Sequence, residues 1–263
     1  MRKYISNRFS LLFSIVGLYV FLSFLVRIIF LVWTAKNIDF NFTPILRTFL
    51  TGFVFDVSVG ISFVWLYAVY LLFFPGRWIG SLMDKFFTCT YFSIVLVIIF
   101  FSLMAEFPFW AEFGVRFNFI AVDYLIYTYE VISNINQSYP LPLIIAMLIA
   151  LATGTFFLLH KTGILKNTFS DKRSIHFRTV YAVPVLLTGF LLLCVMKNKQ
   201  ADFSDSLGLN ELGKNGVFSF FAACRSNELD YDTFYPMLND KQAFTILKKT
   251  LLQKNQRYSS KKW

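Results

Sequence analysis

The residues in this chain that could do chemistry are mostly single charges set in apolar surroundings. Asp56 lies about ten residues into a long apolar run. A carboxylate there costs roughly 2.5–3.5 kcal/mol on insertion scales, and more when unpaired. Two roles suit such a group. It can form an ion pair or hydrogen bond that ties helices together, or it can take part in moving a substrate. Arg27 lies about one and a half turns before the end of the preceding apolar run, and Arg47 opens the run that carries Asp56. Each guanidinium can snorkel to the head groups or grip a lipid phosphate with its planar fork.

A second group of charges falls between the third and fourth apolar runs. The stretch from Glu112 through Arg116, Asn118 and Asp123 to Tyr124, continuing to Tyr139-Pro140, is patterned. Phe117, Ile120, Tyr124, Tyr127 and Val131 recur at helical a/d spacing, while Glu112, Arg116, Asp123 and Glu130 fall on another face. The pattern predicts one amphipathic helix over about 112–135, suited to the outer membrane interface. It either caps the bundle or forms a platform for lipid head groups, with Arg116 as the phosphate contact and Arg47, Glu112, Asn118 and Asp123 nearby.

No catalytic constellation stands out. Cys89, Cys194 and Cys224 are far apart, which implies neither a disulfide framework nor a zinc site. His160 and His176 flank the connection between the fourth and fifth runs. Asp202, Asp205, Glu228, Asp230 and Asp232 are scattered, so no metal site or cofactor is expected in this chain.

The elements that must position these groups are membrane helices. Of 263 residues, 57% are hydrophobic and 15% charged, where a soluble domain carries about 25% charged residues. Apolar runs near 10–33, 46–74, 87–109, 141–160 and 177–196 approach or exceed the ~20 residues that cross a hydrocarbon core. The expected fold is an all-α membrane protein: a five-helix transmembrane bundle over 1–196, an outer interfacial amphipathic helix, and a short extracytoplasmic helical tail or linker over 197–263. The first run follows a basic N-terminus, is too long for a cleaved signal peptide and lacks a cleavage site, so it reads as a signal anchor.

Ten Lys and Arg residues fall in segments on the N-terminal side: Arg2, Lys3, Arg8, Arg77, Lys85, Lys161, Lys166, Lys172, Arg173 and Arg178. The short connections opposite carry Lys36, Arg47 and Arg116. This bias predicts a multi-pass protein of the cytoplasmic (inner) membrane with a cytoplasmic N-terminus and an extracytoplasmic C-terminus. The net charge of +10 is explained by orientation and anionic lipid, not nucleic acid.

Three stretches resemble the N-terminal membrane half of the lipoteichoic acid synthase / phosphoglycerol transferase family. They are Gly52-Phe53-Val54-Phe55-Asp56, then Arg116 to Leu125 with Glu130-Val131, then Asn215 to Phe221 with Arg225 to Tyr231. The resemblance implies five spans followed by a sulfatase-like domain. In that domain a threonine, activated by a divalent metal of the manganese type, attacks phosphatidylglycerol; related members move phosphoethanolamine. That domain is not found in this chain, which is expected to be non-catalytic alone. Its implied partners are phosphatidylglycerol-like membrane lipids and a sulfatase-like domain in cis or in trans. Two other functions remain open: a non-catalytic five-helix scaffold for a separate enzyme, and a small transporter or flippase using Asp56.

Overall fold

The computed structural model describes residues 7–38, 41–126, 140–171, 173–226, 242 and 244–247. Among these residues five helices are long and apolar enough to cross a membrane. They are α1 (Ser10–Trp33), α2 (Phe42–Phe73), α3 (Leu82–Phe113), α5 (Leu141–Lys161) and α7 (Ile175–Val195). Four shorter helices join them: α4 (Phe119–Ile126), α6 (Ile164–Ser170), α8 (Leu207–Gly213) and α9 (Gly216–Ser226). The chain is an all-α, multi-pass membrane protein.

The helices start and stop where their local chemistry directs. In α2, Pro44 falls in the first turn, where its missing N–H leaves no bond unmade. The helix begins four residues before the expected 46. At the start of α3, the Asp84 N–H donates to Ser81 Oγ at 3.3 Å, a side-chain cap. The same helix runs on to Phe113 and ends at Gly114, whose φ of 67° is the left-handed conformation that glycine adopts without strain. Asn118 then restarts the chain as a helix, its Oδ1 accepting from the Ile120 N–H at 2.9 Å.

The single amphipathic helix expected over 112–135 is therefore divided. Glu112 belongs to the last turn of α3, Arg116 lies in the bend, and Asp123 lies in α4. The helical spacing of the charged face, Glu112 to Arg116, ran across Gly114 and hid the break. Tyr127, Glu130 and Val131 lie outside the described residues.

The packing differs from that of a soluble protein in placing apolar side chains on the outside as well as in the centre. Leu12 and Ile15 of α1, Val64 and Tyr67 of α2, and Phe92 and Ile99 of α3 form the apolar centre. Phe21, Leu50, Phe101, Ile149 and Leu187 point outward, as a hydrocarbon solvent favours. Arg8, Arg27, Asp56, Asp84, Glu106 and Arg116 are all buried. Backbone groups are satisfied within helices because lipid offers none of the bonds that water would. Helix α2 sits between α1 and α7, while α3 packs on α1 and α5. Helix α8 rests on α2 and α1, and α9 lies against α2, α3 and α4.

Residues 1–226 form one compact unit and 227–263 another. Residues 198–226 thus belong to the same unit as the spanning helices. In the second unit, 244–247 are helical, and Phe244, Ile246 and Leu247 are exposed. Most of the Lys-rich segment near 240–256 lies outside the described residues.

The α2–α7 contact is close because Gly189 has no side chain. A Cβ there would lie 2.8 Å from Trp65 Cδ1 and 2.9 Å from Ile61 Cγ2. Trp65 Nε1 also donates to the Leu186 carbonyl at 3.2 Å. Gly189→Val is expected to destabilise the bundle by about 1–3 kcal/mol through overpacking. Gly154→Val, where a Cβ meets nothing within 4 Å, provides the control. Thermal unfolding of both variants in detergent checks the difference.

Candidate functional site

Arg27 and Asp56 meet inside the bundle, each about 1% exposed. Arg27 Nη2 donates to both Asp56 carboxylate oxygens, at 2.8 and 2.7 Å. Its Nη1 donates to the Leu212 carbonyl at 2.5 Å and lies 3.3 Å from that of Lys214. Ser23 Oγ donates to Asp56 Oδ1 at 2.7 Å, and Asn215 Nδ2 donates to the same oxygen at 2.8 Å. The carboxylate is thus neutralised by α1 and hydrogen-bonded by α1 and by the segment after the fifth span. Arg27 does not snorkel: it is buried and bound to Asp56, since a buried charge is costly unless paired.

The spacing of the α2 motif follows from this geometry. Gly52 is one helical turn before Asp56, on the same face. A Cβ at Gly52 would overlap the Arg27 guanidinium. Glycine provides the seat and aspartate the counter-charge. Asn215 has two functions as well. Its amide nitrogen binds Asp56, while its Oδ1 accepts from the Phe218 N–H at 3.1 Å and caps α9. The Tyr19 hydroxyl completes the contact at Asn215 Oδ1, 3.1 Å away.

A second pair adjoins the first. Arg116 Nη1 donates to Glu106 Oε2 across the Gly114 turn. Gly216 makes room for this pair, because a Cβ there would overlap the Glu106 carboxylate. The Arg116 N–H donates to Glu211 Oε2 at 3.0 Å. Its guanidinium lies over the Phe30 ring at 5.0 Å and beside Trp110 at 6.0 Å. Burial, reinforced by the Arg27 charge, lowers the Arg116 pKa to about 9, so it remains charged at neutral pH. Burial also lowers that of Lys214, but the charges of Glu211 and Asp202 outweigh it and the net shift is upward. Lys214 Nζ lies 2.6 Å from Glu211 and 3.3 Å from Asp202.

The other end of the bundle has its own buried pair. Arg8 binds Asp84 with two nitrogens, at 3.1 and 2.8 Å. The Tyr70 hydroxyl and the Gly80 N–H donate to the same carboxylate, at 2.7 and 2.8 Å. The Arg8 N–H donates to Asp171 Oδ2 at 3.0 Å. Asp56 at one end and Asp84 at the other are thus each supplied with several donors, which suits them to holding geometry.

The residues singled out from sequence are placed as follows. Asp56 and Arg116 enter the joined network. Arg47 is exposed, with its guanidinium over the Phe203 ring at 4.6 Å. Glu112 is exposed and lies 3.5 Å from the Tyr124 hydroxyl, which donates to it. Asn118 serves the start of α4, and Asp123 is half-buried on that helix. Sequence reading missed Glu106, Glu211, Asn215 and Asp84. Glu106 carried the same signal as Asp56, an acid inside an apolar span. Asn215-Gly216 carried an N-cap signal. Among the described residues no group of three or more His, Cys, Asp or Glu side chains is arranged to hold a metal.

No protein-family model, curated protein or solved structure matches the chain. The family reading rests on the three motifs alone.

Removing one partner of the Arg27–Asp56 pair leaves a charge without compensation. Arg27→Met or Asp56→Leu alone is expected to destabilise by about 3–5 kcal/mol. The double variant is expected to cost less than either single one, because no lone charge remains. A double-mutant cycle on reversible denaturant unfolding measures the coupling, and additive losses would contradict it. Asn215→Leu is expected to expose 198–226 to limited proteolysis while the spanning helices persist.

Proposed function

We propose that this chain is the membrane module of a phosphoglycerol or phosphoethanolamine transferase that works on the outer face of the cytoplasmic membrane. In this reading the N-terminus and basic loops are cytoplasmic, and the chain beyond α7 is extracytoplasmic. The module anchors and orients a sulfatase-like domain supplied in cis or in trans, and it is not catalytic alone. That domain contributes the threonine nucleophile and the manganese-type metal, which supplies charge neutralisation and nucleophile activation in phosphoryl transfer.

The observation that supports this reading is the convergence of the three family-like stretches. They are far apart in sequence, yet Asn215 meets Asp56 and the Phe117 and Phe220 rings lie 6.4 Å apart. Gly216 lies against Glu106, the partner of Arg116. Stretches far apart in sequence that join one contact network suit a positioning device. The device fixes the polypeptide where it leaves the last span. A reacting phosphodiester lies at head-group level, so a fixed exit limits the orientations an attached domain must search.

The residues divide this work. Arg116 is enclosed and holds position. Arg47 presents an exposed guanidinium near the same end of the bundle, and lipid presentation falls to it. Asp56 is committed to Arg27, Ser23 and Asn215, which favours the structural role over a carrier role.

Turnover of labelled phosphatidylglycerol tests the proposal. With the sulfatase-like domain present, Asn215→Leu is expected to lower kcat about tenfold, and Arg47→Gln to raise KM with little change in kcat. Turnover by the 263-residue chain alone would overturn the reading. So would a reporter fused after Arg225 that is active only in the cytoplasm.

A further inference from the structure

The end of the bundle that carries Arg8 and Asp84 contains a feature that the proposed function does not use. A cavity of about 340 Å³ opens between the end of α2 and the start of α7. Its walls include Leu72, Phe73, Gly76, Ser174, Ile175 and Arg178. One side is apolar, and Phe73 and Ile175 are largely exposed toward the surroundings. The other side carries positive charge.

Arg178 dominates that side. It is only 6% exposed, and two of its nitrogens are fixed by backbone carbonyls. Nη1 donates to Phe74 O at 2.6 Å and Nε to Arg173 O at 3.2 Å. Among the described residues its Nη2 has no hydrogen-bond partner, and it is not sealed from the surroundings. That nitrogen lies over Gly76, where a Cβ would come within 3.1 Å of it. A guanidinium held by two bonds, with its remaining donors open to a cavity, is organised for an anion.

The start of α7 adds to this field. No side chain caps it at Ser174, so the first-turn N–H groups lack intrahelical partners. The helix dipole places partial positive charge there. The nearby acids are already engaged, Asp84 by Arg8 and Asp171 by the Arg8 and Arg173 N–H groups. They do not compete for the open donors.

We propose that this cavity binds the phosphate of an anionic phospholipid in the leaflet at the Arg8–Asp84 end. A phosphate oxygen accepts from Arg178 Nη2, and the acyl chains lie along Leu72, Phe73 and Ile175. Phosphate chemistry alone would also admit a free anion. The apolar wall at the end of two spanning helices selects the lipid. This lipid is structural, because it lies at the opposite end of the bundle from Arg47 and the tail network.

The test uses the intact chain in phosphatidylcholine nanodiscs with and without phosphatidic acid, a monoester that is not the diester donor of the proposed reaction. Native mass spectrometry reads retained lipid, and thermal unfolding reads protection. Phosphatidic acid is expected to be retained over phosphatidylcholine and to raise the unfolding temperature. Arg178→Gln is expected to lower retention about tenfold, equivalent to about 1.4 kcal/mol. Should that variant fail to fold, Gly76→Ala decides. It keeps the Phe74 and Arg173 carbonyls paired with Arg178, crowds Nη2, and is expected to lower retention with unchanged helicity. Equal retention by wild type and Gly76→Ala would overturn the proposal. Equal protection by inorganic phosphate would also overturn it.

Discussion

Ionised side chains inside a hydrocarbon core must find their counter-charge within the protein, and in this bundle the Arg27–Asp56 pair is where that requirement is met most fully. Helix α1 supplies the cation, α2 the anion, and the segment after the fifth span supplies further bonds to both. Neither helix could rotate about its axis without withdrawing its charge. Rotation of α1 would remove Arg27 from Asp56, and rotation of α2 would replace the Gly52 seat with a side chain. One interaction thus sets the phase of two helices and the position of a third segment. Buried pairs are not strong sources of net stability, because desolvation offsets the Coulomb gain. Their effect here is specificity of arrangement.

Glycine enforces the same logic at both points of closest approach. At Gly52 the missing side chain admits a guanidinium, and at Gly216 it admits a carboxylate. The guanidinium at Gly52 reaches Asp56, four residues on in the same helix, and the carboxylate at Gly216 reaches Arg116. The charge cannot reach its partner unless the backbone stands clear. These glycines differ from Gly114, whose left-handed conformation ends α3 and turns Arg116 back toward Glu106.

The number of spans was legible because each apolar run is long, and composition separates it from its loops. The start of α1 at Ser10 and of α5 at Leu141 fell where the sequence placed them. The ends of α3 did not. Ser81 caps it before the apolar run begins, and the run fades before Gly114 stops the helix. The site was legible only in part. Asp56 announced itself as a charge that needs a reason, but its partner lies on another helix, 29 residues away. Nothing in one-dimensional spacing distinguishes a snorkelling arginine from a paired one. Arg116 was read as facing the head groups because its helical phase was carried through a break. Asn215 opened a family-like stretch, but its two roles depend on contacts with Asp56 and the Phe218 N–H that sequence spacing does not show.

The two buried networks act on different parts of the chain. At the Arg8 end the bonds join α1, α2, α3 and the loop before α7, all within or between spans. At the Arg27 end, α1, α2 and α3 are joined to α8 and α9, which lie beyond the fifth span. The first end can therefore close as soon as the spans are in place. The second is complete only with residues 207–216, whose Leu212 carbonyl accepts from Arg27 Nη1. The Arg27–Asp56 pair is completed by the segment that follows the last span. This dependence is why the position of that segment is a property of the core, transmitted through Arg27 and Asn215, and not a property of the segment's own short helices.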